Sequence, residues 1–271
     1  MACKLTLASQ KGGVGKTTLS LNLAVAFAER GLRTLLVDLD PQGAVSLALA
    51  KDDTDWQGLT ELILGQCSAE EALTPTKLRQ LTILARGRLD PVDACAFEQT
   101  LFQAHPLGPI LEHYENDFDY MIVDAPSGVG MVTRACLAVS DFALLPFVPD
   151  SLNLRSLFQM LRVVQHVEEH DNQALRLLGI VVNMVDLENA ATQQVLSTLW
   201  SGFAGVLETM IPRSEAFSRA SAAGLPLSYL GGPLTPAARR LQSLSTELLD
   251  LIAEMRNAAG INDERGQRQL I

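Results

Sequence analysis

The sequence predicts an α/β protein, a single doubly wound and mostly parallel β-sheet flanked by helices. Three observations lead there: short apolar runs recur along the chain, helix-like stretches separate them, and the first run opens into a glycine-rich turn and a helix start. Strands buried on both faces read as continuous apolar runs, and parallel strands need crossovers of helix length. Residues 5–8 form the first such run, followed by a helix over 17–30 that Gly31 closes and by a second strand over 34–37. Further buried strands are predicted over 81–84, 120–123, 142–147, 179–183 and 206–211, each followed by helical sequence. Thr235-Pro236 reads as an N-cap with proline in the first turn. It opens a C-terminal helix that gathers Leu241, Leu244, Leu248, Leu251, Ile252 and Met255 on one face, for docking on the sheet. The stretch 51–60 reads as a surface excursion and 262–271 as a frayed polar tail. No repeat, low-complexity block or boundary interrupts the chain, so 1–271 is expected to be one domain.

Composition narrows the function classes. The 271 residues carry a formal net charge of −10, which argues against a surface that is wholly a nucleic-acid footprint. The charge is uneven: between 209 and 246, Arg213, Arg219, Arg239 and Arg240 face the single acid Glu215, a local net charge of +3. Cys3, Cys67, Cys95 and Cys136 form no Cys-x-x-Cys pair, so neither a disulfide framework nor a zinc site is indicated and reduced, mostly buried thiols are expected. No run approaches the ~18 apolar residues of a membrane span, and the start has no signal-peptide layout. A cytosolic protein is expected.

The segment Lys11-Gly12-Gly13-Val14-Gly15-Lys16-Thr17-Thr18 lies between a strand and a helix. Successive backbone N–H groups and the helix N-terminus can surround phosphate oxygens there. Lys16 would meet the β- and γ-phosphates, and the Thr17 hydroxyl would ligate Mg²⁺. The usual G-x-x-x-x-G-K-[ST] pattern fails at one position, where Gln10 replaces the first glycine. A dinucleotide fingerprint is excluded because Thr18 stands where its third glycine belongs.

This segment resembles the deviant Walker A box of the ParA/Soj/MinD family of P-loop ATPases. The resemblance implies that Lys11 contacts ATP across a dimer interface. Leu35-Leu36-Val37-Asp38-Leu39-Asp40-Pro41-Gln42-Gly43 resembles the family's next motif, and Tyr120-Met121-Ile122-Val123-Asp124-Ala125-Pro126 resembles its Walker B strand. By that likeness Asp124 would hold Mg²⁺ through water, Asp38 would support the metal region and Asp40 would orient the attacking water. Ser127-Gly128-Val129-Gly130 would be a second switch, although the family more often has paired prolines there. Asn183 matches the adenine-reading position, and Pro212, within Ile211-Pro212-Arg213, matches a segment beside the base.

A family member of the ParA type would use ATP and Mg²⁺, dimerise around two ATP molecules, bind DNA nonspecifically and be released when a ParB-like or adaptor protein stimulates slow hydrolysis. It would be cytoplasmic and nucleoid-associated when ATP-bound, positioning DNA or a protein assembly as cargo. Arg213, Arg219, Arg239 and Arg240 are the candidate DNA contacts. Two relatives of the same fold compete. A MinD-like protein would bind membrane through a C-terminal amphipathic helix, for which Arg265-Gly266-Gln267-Arg268-Gln269-Leu270-Ile271 has too few apolar residues. A metabolic P-loop enzyme would phosphorylate or amidate a small molecule, but Lys11 and the Asp38/Asp40 motif fit switching better. Two further patterns are weaker. His166-Val167-Glu168-Glu169-His170 formally satisfies a zinc-peptidase pattern, yet lies at the polar end of a helix whose Leu154, Leu157, Leu161 and Val164 serve packing. Cys95 and Cys136 bracket the Walker B strand as cluster ligands do in the related nitrogenase iron protein, without that protein's glycine-rich ligand loops.

Overall fold

The computed structural model describes residues 1–49, 56–103 and 105–258. The predicted frayed tail over 262–271 and the first part of the predicted excursion over 51–60 lie outside the described residues. In chain order, β1 (Cys3–Ser9), α1 (Lys16–Glu29), β2 (Thr34–Asp38), α2 (Ala44–Leu49) and α3 (Leu59–Ile63) are followed by β3 (Leu73–Pro75) and β4 (Leu81–Leu84). Next come α4 (Ala94–Gln103), α5 (Leu107–His113), β5 (Tyr120–Ser127), α6 (Met131–Ala138), β6 (Phe142–Phe147), α7 (Ser151–His170) and β7 (Arg176–Val182). The chain continues through α8 (Ala190–Gly202), α9 (Glu215–Ala223) and α10 (Pro236–Ala258). Among the described residues the strands form one seven-stranded sheet in the order β3-β4-β2-β5-β1-β6-β7, parallel except for the β3–β4 pair.

This order matters for the site. From β1 the chain crosses first toward β2 on one side, and from β5 it later crosses to β6 on the other. The loop after β1 therefore sits at the reversal of winding, where open α/β sheets bind ligands beyond the carboxyl ends of their strands. Register adds a second constraint, because Asp124 on β5 is the Cα partner of both Leu7 on β1 and Asp38 on β2.

Packing explains why the central elements form. Helix α1 is apolar on nearly every face and is buried through Leu19, Leu21, Leu23, Val25 and Phe27, between the sheet and α10. The predicted stripe of α10 is in place: Leu241, Leu244, Leu248 and Ile252 are buried, with Leu251 and Met255 packed at its margin. The helix start is also as read, since Thr235 Oγ1 accepts from Ala238 N at 3.1 Å. No helix among the described residues is long and apolar enough to cross a membrane.

Three features differ from the sequence expectation. The strand β3, antiparallel at the sheet edge, was not foreseen, because Leu-Thr-Pro is too short to show a period. The predicted strand over 206–211 is not a strand: it touches β7 through the isolated Ile180–Val206 bridge, with Leu207 N donating to Ile180 O at 2.9 Å. The next two amides, of Glu208 and Thr209, donate instead to the Glu247 carboxylate of α10 at 2.7 and 3.0 Å, which interrupts the ladder until Ile211 N donates to Val182 O at 2.9 Å. Finally, 58–60 is not a surface excursion. Gly58, Leu59 and Thr60 are buried, because Leu59 N and Thr60 N bond the carbonyls of Ala85 and Arg86 at 2.8 and 2.9 Å.

Candidate functional site

The glycine-rich segment leaves the end of β1 and closes on itself through Ser9 Oγ, which donates to Lys11 O at 3.0 Å. Gly13 and Gly15 have φ of +76° and +84°, left-handed values that favour glycine. At Gly15 space is also decisive, since a Cβ would stand 2.4 Å from Asn183 Nδ2 and 3.1 Å from Met184 Cε. Gly12, Gly13 and Thr18 are exposed, Lys11, Gly15 and Thr17 half-buried, and Val14 buried. Where the common motif has its first glycine, Gln10 places Oε1 in the interior with no partner, against a wall formed by 145–148 and Asn153.

Beneath this loop the first turn of α1 meets the end of β5. Asp124 is fully buried and collects three donors: Thr17 Oγ1 to Oδ2 at 2.6 Å, Ser20 Oγ to Oδ1 at 2.9 Å, and Lys16 Nζ to Oδ1 at 3.4 Å. Lys16 is itself 5% exposed. Burial raises the Asp124 pKa, and Lys16, Thr17 and Ser20 pull the other way. Asp38, beside it on β2, is also fully buried, and burial together with the Asp124 charge pushes its pKa up to about 8. The amides of Val45 and Asp40, donating to Asp38 at 3.0 and 3.1 Å, oppose that shift. Paired carboxyl groups under the glycine-rich loop, with a threonine hydroxyl on one of them, are an oxygen donor set of the kind Mg²⁺ takes together with phosphate oxygens. The residues present therefore fit the ion.

Asp40 is half-buried at the head of a turn. Its Oδ1 accepts from Gln42 N at 2.9 Å and its carbonyl from Gly43 N at 2.8 Å. On the other side of the loop, Asn183 is buried, its backbone amide donating to Phe147 O and its side-chain amide to Val14 O, both at 2.7 Å. In this structure that side chain holds the phosphate loop. The 211–213 segment lies alongside, with Val185 N donating to Ile211 O at 3.0 Å and Pro212 bridged to Val185. The second predicted switch starts at the loop as well: Gly128 N donates to Ser9 O at 2.9 Å, with φ of +117° at Gly128.

The structure thus brings Lys11 through Thr18, Asp38, Asp40, Asp124, Asn183 and Pro212 to one end of the sheet. Arg213, Arg219, Arg239 and Arg240 are all exposed, on the 211–213 segment, α9 and α10, and among the described residues none of them pairs with a carboxylate. Sequence reasoning missed Ser20 and Met184. The first lay one helical turn after Lys16, a spacing that signals a shared face. The second, with φ of +54°, carries no sequence signal. Of the weaker patterns, His166 and His170 stack at 4.4 Å on the outside of α7, with His170 Nδ1 bonded to the His166 carbonyl at 2.9 Å. Cys95 is exposed on α4, whereas Cys136 is buried on α6.

Comparison with known proteins follows the same lines. A family model described as an AAA domain matches residues 3–177. The sporulation initiation inhibitor protein Soj of Bacillus subtilis is 31% identical over 232 residues, covering 82% of this chain and 89% of Soj. The chromosome partitioning protein ParA of Myxococcus xanthus is 32% identical over 231 residues, covering 82% and 80%. Among solved structures, a cobyrinic acid a,c-diamide synthase from Mycobacterium smegmatis, with bound ATP analog and magnesium, superposes with a TM-score of 0.79 at 29% identity, covering 94% of this chain and 97% of the other.

Proposed function

Because the chain belongs to the ParA/Soj/MinD family of P-loop ATPases, we propose that it is a ParA-like positioning ATPase whose ATP-bound dimer holds DNA and whose hydrolysis releases it. The observation that carries this reading is the buried Asp124 carboxylate, which ties Lys16 and Thr17 of the phosphate loop to the sheet, with Asp38 and Asp40 on the adjacent strand end. ATP is the substrate and Mg²⁺ the cofactor. The amides of 12–18 and the α1 N-terminus surround the phosphates, and Lys16 supplies the cation facing them. Thr17 would hold the magnesium ion directly and Asp124 through water, with Asp38 supporting that region, and the ion would supply charge neutralisation for the phosphates. Asp40 orients the attacking water and accepts its proton. Lys11 reaches the partner subunit's nucleotide, and Asn183 and Pro212 flank the adenine.

On this reading 1–271 works as one unit, cytoplasmic and, when ATP-bound, associated with the nucleoid through Arg213, Arg219, Arg239 and Arg240. A ParB-like or adaptor protein stimulates an otherwise slow hydrolysis. The test combines two measurements on the purified chain with ATP and Mg²⁺. Lys16→Ala should weaken ATP binding by at least about 100-fold, roughly 2.7 kcal/mol, because a charged phosphate partner is lost. DNA should be retained with ATP and released with ADP. Unchanged ATP affinity in Lys16→Ala would reject the site.

A second reading has a specific observation behind it, the likeness to a cobyrinic acid a,c-diamide synthase over 94% of this chain. An amide-forming enzyme would make ATP consumption depend on a carboxylic acid and an amine donor. Hydrolysis to ADP and phosphate with neither present favours the positioning ATPase.

A further inference from the structure

We propose that Arg86 is a positioning residue for hydrolysis, a latch that fixes the turn carrying Asp40; the proposal rests on Asp40 being the carboxylate that orients water. Arg86 follows β4, whose parallel neighbour is β2, so it emerges at the same edge as the turn that leaves β2. Its guanidinium donates through Nη1 to the Pro41 carbonyl and through Nε to the Gly87 carbonyl at 3.1 Å. It also lies across Gly43, where a Cβ would stand 3.3 Å from Nε, Cζ and Nη2, and where φ is +63°. Pro41 is the residue next to Asp40, and Gly43 closes the turn by donating its amide to Asp40 O. One side chain therefore bonds Pro41 and packs over Gly43 in the turn whose Gln42 amide donates to the Asp40 carboxylate.

The arginine is itself held from behind. Its carbonyl accepts from Thr60 N at 2.9 Å and Thr60 Oγ1 at 2.7 Å, at the start of α3. Glu61, 4% exposed, receives Gly58 N and Arg88 N, both at 2.9 Å. A Cβ at Gly87 would fall 2.1 Å from Glu61 Oε2, and one at Gly58 2.1 Å from Ala85 O, so the strap 85–88 and the start of α3 meet at contact distance in two places. Such bonding fixes a backbone more firmly than a surface loop needs. The strap and α3 are a rigid mount, and what they present is a planar cation whose acceptors are carbonyls at the Asp40 turn and on the strap.

Single-turnover hydrolysis at saturating ATP tests this on the full chain, with ATP affinity measured separately by calorimetry. Arg86→Ala should lower the rate at least about tenfold while the ATP Kd stays within about twofold, the split expected when only alignment is lost. Arg86→Lys keeps a cation for the Pro41 carbonyl and should recover part of the rate. It also keeps the comparison usable if the alanine variant does not fold. The double variant Arg86→Ala/Asp40→Ala should retain the same residual rate as Asp40→Ala alone, since Arg86 acts through that carboxylate. A wild-type rate in Arg86→Ala, a loss confined to ATP affinity, or a further loss added to Asp40→Ala would each overturn the latch. If Asp40→Ala itself hydrolyses normally, the water-orienting assignment falls and the latch with it; if Asp40→Ala is inactive and Arg86→Ala normal, only the latch falls.

Discussion

Asp38 and Asp124 are direct Cα partners on the parallel strands β2 and β5, and both carboxyl groups are fully buried at the same end of the sheet. Among the described residues, only Asp124 of the two pairs with a lysine, Lys16. Asp38 keeps its proton to about pH 8, because burial and the Asp124 charge both disfavour its ionised form. A carboxyl group whose native pKa lies above its unfolded value binds a proton that the unfolded chain has given up. Its contribution therefore favours the folded state at low pH and is lost as pH climbs from about 4 to about 8. Between pH 6 and pH 8 the nucleotide-free protein should lose a few degrees of melting temperature, and Asp38→Asn should flatten that slope. Thermal unfolding of both proteins at the two pH values checks this; an equal slope in the variant would place the titration elsewhere.

Gly15→Ala meets two penalties at once. The left-handed φ of +84° costs a non-glycine residue about 1 kcal/mol, and the new methyl would sit 2.4 Å from Asn183 Nδ2. The expected loss is about 2–3 kcal/mol of stability together with the bond from Asn183 to Val14 O. Adding Asn183→Ala should return part of the stability by removing the clash. Urea unfolding of the single and double variants measures it, and a double variant less stable than Gly15→Ala would contradict the steric account.

Lys11 and Asp40 should separate the two halves of the cycle. Asp40→Ala leaves the phosphate loop and Asp124 intact, so ATP should bind, remain uncleaved and accumulate a dimer. Lys11→Ala removes the half-buried cation assigned to the partner subunit, so ATP should bind to a monomer that neither dimerises nor turns over. Size-exclusion chromatography with ATP and Mg²⁺ distinguishes them. Identical elution of both variants would remove the two-state switch.

The four exposed arginines carry the DNA prediction. Replacing Arg213, Arg219, Arg239 and Arg240 together should abolish ATP-dependent DNA retention and leave ATP binding within about twofold. In the native protein, retention should fall steeply with salt, as counterion release requires. A folded quadruple variant that still holds DNA with the same salt slope would move the interface to another face.

The phosphate loop was legible because its chemistry is local: glycines, Lys16 and Thr17 lie adjacent in sequence and mean the same thing in any α/β context. The strands of the parallel core were legible for a related reason, since a strand buried on both faces must be apolar throughout. What escaped the sequence depends on distant partners. The segment 206–211 has the composition of a strand, but Glu247 takes the amides of Glu208 and Thr209 between its bonds to Ile180 and Val182, which breaks the regular ladder. Ser20 became part of the site through its bond to Asp124, 104 residues away. Asn183 matches a base-contact position in the sequence, and its bond to Val14 O spans 169 residues, a link that no local pattern announces.

The diversion of the Glu208 and Thr209 amides also changes how this protein can meet others. β7 is the last strand on its side of the sheet, and a bare parallel edge invites a foreign strand to add to it. Here the 205–211 segment lies along that edge, paired at Ile180, tied at Glu208 and Thr209 to Glu247 of α10, and paired again at Val182 through the Ile211 amide. An incoming strand would find the Ile180 amide and the Ile180 and Val182 carbonyls already bonded. The carboxyl half of the β7 edge is therefore covered by the chain itself, which leaves a foreign strand no free ladder positions at Ile180 and Val182.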